Sequence, residues 1–333
     1  MDHMRTRGIS RRQLVGGAAG IAVATSLGGR TVAAQATPEA SPAVGGTRSF
    51  AHAMGVTEIP ANPQRVVVLD GPILDAAIAV GVVPVGATTA TEDEPWPTYL
   101  GDGLDGIANV GIIAEPNLER IVAAQPDLII GSVVRNEAIY PQLAEIAPTV
   151  FSDTLARDWR EGFLFFSDAL NRADRAGAVI AAYEEKIAAI QDGLGDTLAE
   201  TSVSVIRILG DQIRSYNINS FSGIVLGEIG FARPEIQQAP DDSWSPLSLE
   251  QLGEIDASAL FVTLWTDDDA TNLATLAQNP LWSTLSAVQE ERVYLVPDEY
   301  WMTGIGYLAA AKLLDDVQAY LVDGQAAPEL PTA

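Results

Sequence analysis

Hydrophobic and polar positions follow two rhythms along this chain, and the stretch 117–131, NLERIVAAQPDLIIG, contains both in one unit. Asn117 is a good N-cap, Glu119 puts a carboxylate in the first turn, and Leu118, Ile121 and Val122 form a helical apolar stripe. Pro126 stops that helix and Asp127 turns the chain. Leu128-Ile129-Ile130 is then a continuous apolar run of the kind buried on both faces of a sheet. The same order returns over 248–262, SLEQLGEIDASALFV, where Glu250 stands 131 positions after Glu119. The repetition predicts two equivalent α/β lobes.

The remaining pattern fits around these units. Strand-like 66–69, helical 73–80 and apolar 82–86 form a β-α-β sequence. Residues 87–108 read as a long polar and aromatic loop with Trp96 and Tyr99, and loops of that length in a compact lobe are commonly functional. A helix over 137–146 and a strand over 149–151 follow. Residues 158–194 nearly lack glycine and proline and carry Phe163, Phe166, Leu170, Ile180, Tyr183, Ile187 and Ile190 at helical spacing, which predicts two helices. The second, near 173–192, would be roughly 30 Å long, enough to cross from one lobe to the other. Beyond it, 203–209 and 213–216 read as a hairpin about Gly210-Asp211. A helix over 224–229, the second repeat, the stretch 281–288, a strand over 293–296 and a final helix over 306–321 complete the pattern. With right-handed crossovers, this alternation predicts an α/β fold of two Rossmann-like lobes, each with a mostly parallel sheet, joined by one long helix. The expected division is 48–172 for the N-terminal lobe, 173–195 for the inter-lobe helix, 196–325 for the C-terminal lobe and 326–333 for a tail.

The first residues do not share these rhythms. Ser10-Arg11-Arg12-Gln13-Leu14 is followed by an apolar run to Leu27 and by Ala34-Gln35-Ala36. A twin-arginine pair, an apolar run too short to span a bilayer comfortably and a small-residue cleavage site predict a signal peptide over 1–36 and export in a folded state. Residues 37–47, rich in Pro, Gly and small side chains, read as a flexible linker. The chain has 333 residues, is 47% hydrophobic and contains no cysteine, which leaves room for two cores and excludes a disulfide framework. The expected location is exported, periplasmic or on the outer face of the cytoplasmic membrane, and not as a lipoprotein. The formal charge is −25, and loss of the leader, with five arginines against one aspartate, lowers it by a further four. Such an acidic surface disfavours nucleic acid and anionic membranes as partners.

Taken in order, IPANPQRVVVLD (59–70), GVVPVG (81–86), NVG with EPNLERIVAAQPDLIIG (109–131), IAPTV (146–150), SPLSLEQL (245–252), NPLWSTLSAVQEERVYLVPDEYW (279–301) and AAAKLLDDVQAYL (309–321) resemble one class of proteins. These are the ABC-importer substrate-binding proteins with a rigid inter-lobe helix, which serve ferric siderophores, haem and cobalamin; the ferric-siderophore binders are the most similar. The resemblance implies a ligand cleft between the lobes and a ferric siderophore as transported ligand, with no covalently bound cofactor. It further implies a monomer that docks on an ABC permease dimer in the membrane through one surface glutamate per lobe. Glu119 matches the first docking position and Glu228, in VLGEIGF, the second, although the family's acid can also fall where Gly227 stands. A carboxylate at Glu119 is also favoured by the helix dipole alone, by about 0.3–1 kcal/mol.

A ferric siderophore encloses its metal, so the implied cleft needs cations and aromatic faces and no metal-ligating side chains. Arg135 follows the first repeat's strand at its carboxyl end, where open α/β sheets bind ligands. Arg207 and Arg214 sit on the two arms of the hairpin, Arg214 close to Tyr216, and by resemblance that hairpin faces the cleft. Trp96, Tyr99, Trp265, Tyr300 and Trp301 lie in loops or at strand ends as ligand-facing aromatics would, whereas Trp244 and Trp282 read as packing. The competing reading for each arginine is a surface ion pair, and for each aromatic it is core packing. Beyond the leader the chain has one histidine, His52, read as a strand-end residue, so direct Zn²⁺, Mn²⁺ or haem ligation by imidazole is disfavoured. Another iron form, haem or cobalamin remains an alternative ligand. A secreted α/β enzyme is the reading from another class, but G-x-S-x-G, G-x-x-x-x-G-K-[ST] and a Cys/His pair are all absent, and Asp267-Asp268-Asp269 reads as a solvated turn.

Overall fold

The structure is a computed structural model that describes residues 45–92, 96–154, 158–326 and 330. The leader over 1–36, most of the linker over 37–47 and most of the tail over 326–333 lie outside the described residues.

A hairpin opens the folded chain: β1 (Thr47–His52) pairs antiparallel with β2 (Gly55–Pro60), and His52 ends β1 as expected. The N-terminal lobe then builds a sheet from β3 (Val66–Val68), β4 (Gly86–Thr89), β5 (Ala108–Ile112), β6 (Glu115–Pro116), β7 (Leu128–Ser132) and β8 (Thr149–Ser152), in the order β6-β5-β4-β3-β7-β8. All neighbours are parallel except β6, which returns antiparallel on β5. The C-terminal lobe builds a second sheet from β9 (Val203–Leu209), β10 (Gln212–Tyr216), β11 (Trp244–Pro246), β12 (Ala259–Leu264) and β13 (Val293–Leu295), in the order β11-β10-β9-β12-β13. There β9, β12 and β13 are parallel, while β10 and β11 fold back antiparallel at one edge.

The internal repeat is visible as topology. The triplet β3-β7-β8 occupies the same place in the first sheet as β9-β12-β13 in the second, and β7 and β12 are the strands of the two repeated units. Asn117 caps the helix Leu118–Ala123 by accepting from the Arg120 N–H, and Ser248 with Gln251 closes a capping box over the 3₁₀ turns Leu249–Ile255. The two helices Trp159–Ala169 and Ala173–Leu194 appear where the pattern places them; at 22 residues the second is about 33 Å long.

Period-two alternation in the strands sorts the cores. Val67, Leu69 and Ile129 face one cluster within the N-terminal lobe, and Ile206, Ile208, Leu260 and Val262 face another within the C-terminal lobe. The alternate positions Val66, Val68, Ile130, Val203, Val205 and Phe261 belong to one continuous cluster that includes Tyr183 and Ile190 of the long helix and Leu313 and Val317 of the helix Tyr307–Val317. The two lobes therefore share a core along their seam.

Two local expectations are corrected, and one strand was not anticipated. Residues 82–85 form the turn before β4, not its body, because Pro84 has no N–H to give a ladder. The loop read over 87–108 contains the rest of β4 and the 3₁₀ turn Thr98–Leu100, and β5 begins at its end. The edge strand β11, built on Trp244, had no apolar run to announce it.

Candidate functional site

The chain leaving β13 meets the chain leaving β3 and β4. Thr98 donates its backbone N–H to Glu299 Oε2 at 2.9 Å, and the rings of Tyr99 and Tyr300 meet edge-on at 6.4 Å. Asp75, on the helix Gly71–Ala79, accepts from the backbone N–H groups of Leu308 and Ala309 at 3.2 and 3.1 Å and so caps the helix Tyr307–Val317. The carboxyl ends of both sheets border this one seam, the place where open α/β sheets hold ligands.

On the C-terminal side the site grows from register. Arg207 of β9 stands directly opposite Arg214 of β10, and Tyr216 stands opposite Trp244 of β11, so these side chains share a sheet face. Arg207 is 7% exposed; its Nη2 donates to Asp298 Oδ2 at 2.6 Å and its Nη1 to the Tyr216 hydroxyl at 3.4 Å. The Trp265 ring covers its guanidinium at 4.5 Å and is itself 46% exposed. Asp269 fixes the Trp265 turn to the hairpin tip, accepting from the N–H groups of Gly210 at 2.7 Å and Thr266 at 3.0 Å. Its neighbours Asp267 and Asp268 are exposed as a solvated turn would be. Arg214 lies under Trp244 at 4.0 Å and donates to Gln212 Oε1 at 3.4 Å. Two flat guanidinium-indole stacks thus stand side by side, a surface suited to an anionic, aromatic or carboxylate-rich guest. Burial pushes the Asp298 carboxyl above its ordinary range, an effect the Arg207 charge opposes.

On the N-terminal side, Arg135 leaves the short helix Val133–Asn136 immediately after β7 and its Nε reaches Asp70 Oδ2 at 3.4 Å. Asp70 follows β3, is buried and caps the helix Gly71–Ala79 through the Gly71 N–H. Burial raises its carboxyl and the Arg135 charge opposes that shift. Trp96 is partly buried beside the shared core.

The structure thus brings Arg207, Arg214, Tyr216 and Trp265 together, and places Arg135 alone with Asp70. Other candidates land elsewhere. Trp301 is corrected: it is fully buried, stacked on Phe261 at 4.5 Å with its indole N–H on Asp316 at 2.8 Å, because the π-turn Glu299–Thr303 points it into the core. Tyr99 is buried as part of the seam, where burial and the nearby Asp75 and Glu299 charges hold its hydroxyl well above its usual range. Tyr300 is half-buried, its hydroxyl raised by burial and by Asp316. Trp244, read as packing, is 38% exposed over Arg214, whereas Trp282 is buried. Sequence reasoning missed Asp70 and Asp298; Asp70 lies just past the carboxyl end of β3 and Asp298 just past that of β13, and that position was the available signal.

The two acids matched to docking differ. Glu119 is exposed and has no ion-pair or hydrogen-bond partner among the described residues. Glu228 is partly exposed and already partnered: its carboxylate pairs with Arg160 and accepts from the Tyr183 hydroxyl at 2.6 Å, tying the C-terminal lobe to the long helix. A cavity of about 370 Å³, lined by Ile208, Ile213, Asn272 and Leu276 among others, opens on the opposite sheet face from Arg207 and takes no part in this site. Among the described residues no three His, Asp or Glu side chains converge as metal ligands would.

Residues 66–300 match the periplasmic binding protein family, and the chain belongs to it; the family is one of substrate-binding transport proteins. A probable siderophore-binding lipoprotein of Bacillus subtilis is 40% identical over 287 residues, 83% of this chain and 88% of that protein. The achromobactin-binding periplasmic protein of Dickeya dadantii is 31% identical over 263 residues, 77% of this chain and 85% of its own length. Among solved structures, Staphylococcus aureus SirA complexed with staphyloferrin B superposes with a TM-score of 0.70 at 31% identity, over 83% of this chain and 98% of that one. One expectation is overturned here. The location read from the sequence excluded a lipoprotein, yet the 40% identical relative is named as one, beside relatives named as periplasmic.

Proposed function

We propose that this chain is the substrate-binding protein of an ABC importer, that it captures a ferric siderophore between its lobes without transforming it, and that it delivers the ligand to a permease dimer. The observation that carries the reading is the pair of register-matched guanidinium-indole stacks, Arg207 with Trp265 and Arg214 with Trp244, at the carboxyl end of a sheet that faces a two-lobe seam. Relatives named for siderophores and a neighbour solved with staphyloferrin B support the choice of ligand class. Arg135 supplies a third cation from the opposite lobe, and Tyr216 with Trp96 completes the walls. Titration of tryptophan fluorescence with ferric catecholates, hydroxamates and carboxylate siderophores, with haem and cobalamin as comparison ligands, tests it: sub-micromolar quenching by a siderophore recovered intact is expected, and silence from every siderophore overturns it.

Delivery uses Glu119, whose exposed carboxylate is free to meet a permease arginine. Replacing it, Glu119→Ala, is expected to leave ligand affinity unchanged and to weaken the complex with the permease; an unchanged complex overturns the docking role.

A further inference from the structure

Four carboxylates border the seam, and they are used in two ways. Asp75 is consumed by the N–H groups that begin the helix Tyr307–Val317, and Glu299 by the N–H and hydroxyl of Thr98. Asp70 and Asp298 instead face arginines: Asp298 holds Arg207 at 2.6 Å and Asp70 holds Arg135 at 3.4 Å. Among the described residues Arg214 makes no ion pair with a carboxylate; its guanidinium donates to Gln212 and lies against the face of Trp244. Three cations therefore present very different fields to a guest. At the distance of a bound ligand, a carboxylate beside a guanidinium cancels most of its attraction, and the cancellation is strongest where the pair is tightest and most buried.

We propose that Asp298, and more weakly Asp70, are the specificity-determining residues of this cleft: acting through Arg207 and Arg135, they set its net charge so that Arg214 is the one uncompensated cation of the three, and thereby set which ligand charge is preferred. They are positioning residues that bear on the guest through the arginines. This inference rests on the siderophore reading and deepens it. A ligand carrying many negative charges gains little from Arg207 while Asp298 is ionised. Neutralising Asp298 without changing its shape adds one positive charge to the groove. Asparagine keeps an acceptor for Arg207 at Asp298, and at Asp70 it keeps the helix cap.

The test compares the full chain with Asp298→Asn, Asp70→Asn and Asp298→Glu by fluorescence titration. The two probes are a triply anionic ferric tris-catecholate and an uncharged ferric trihydroxamate, each at low and high salt. In Asp298→Asn the preference for the anionic probe is expected to rise on the order of tenfold and to become steeper in salt. The rise should be smaller in Asp70→Asn and absent in Asp298→Glu, which keeps the negative charge. A folded Asp298→Asn whose preference is unmoved, or shifts toward the uncharged probe, overturns the inference. Should that variant not fold, Asp70→Asn reads the same quantity, and no movement there overturns it equally. Wild-type protein that binds neither probe nor any other siderophore removes the function and this inference together, whereas wild-type binding with a fixed preference removes the inference alone.

Discussion

In the N-terminal lobe Arg135, the proposed ligand contact, projects from a four-residue helix, is half-exposed and touches its carboxylate at 3.4 Å. In the C-terminal lobe Arg207 rises from the middle strand of a five-stranded sheet, is buried, is clamped at 2.6 Å and carries an indole lid. The two pairs occupy the carboxyl ends of equivalent strand triplets, so the repeat supplies a similar place twice and local packing decides what is made of it. A charge held by a strand, an acid and an aromatic face is oriented before any guest arrives, and an arm on a short helix adjusts afterwards. For the proposed site, the C-terminal lobe offers a pre-oriented contact and the N-terminal lobe a more compliant side chain.

The largest test of this contrast is Arg207→Ala, which strands Asp298 in a nearly dry site. Loss of one partner of a buried pair costs about 3–5 kcal/mol, read as a lower denaturant midpoint at unchanged slope. A cost near zero would make the platform no firmer than the arm. The seam between the lobes gives the next effect. Burial pushes the Asp75 carboxyl up to about 7 from 3.8, against the lowering effect of the backbone N–H groups of Leu308, Ala309 and Tyr307. Between those values the folded chain keeps a proton that the unfolded chain releases. Its contribution is therefore full at the acid end and is lost as pH rises toward 7, at up to roughly 1.4 kcal/mol per pH unit. Asp75→Asn, which cannot ionise, should remove that slope, and a difference between wild type and variant that does not vary with pH would refute the assignment. Smallest in stability is Arg135→Ala: the arginine is half-exposed and Asp70, though buried, keeps the Gly71 N–H, so the midpoint should fall by less than in Arg207→Ala while siderophore affinity falls about tenfold. A large loss of stability there would erase the contrast between the lobes.

Much of this contrast was readable in the chain itself, and the limits are physical. The cap, proline stop and apolar run around Glu119 are local devices, so the helix Leu118–Ala123 and β7 could be placed from neighbours a few residues away, and their copy at Ser248 announced the second lobe. The hairpin β9-β10 likewise put Arg207 beside Arg214. Trp244 and Trp301 were exchanged in role because tertiary partners decide them: Arg214 lies 30 positions from Trp244, and Phe261 lies 40 from Trp301. Glu228 reads as one more surface acid until Arg160 and Tyr183, on two earlier helices, are seen to meet it. Asp298 and Asp70 went unread since, among 44 acids, a place just past a strand marks position but not burial or an arginine partner.

The helix Ala173–Leu194 runs unbroken for 22 residues and buries Ala176, Tyr183, Ile190 and Leu194 in the shared core, so it acts as a strut between the platforms it separates. A stiff strut makes the groove a gauge. For the proposed ligand site, a width held by this strut predicts sorting of guests by girth as well as by charge, and stopped-flow mixing is expected to show a single bimolecular phase.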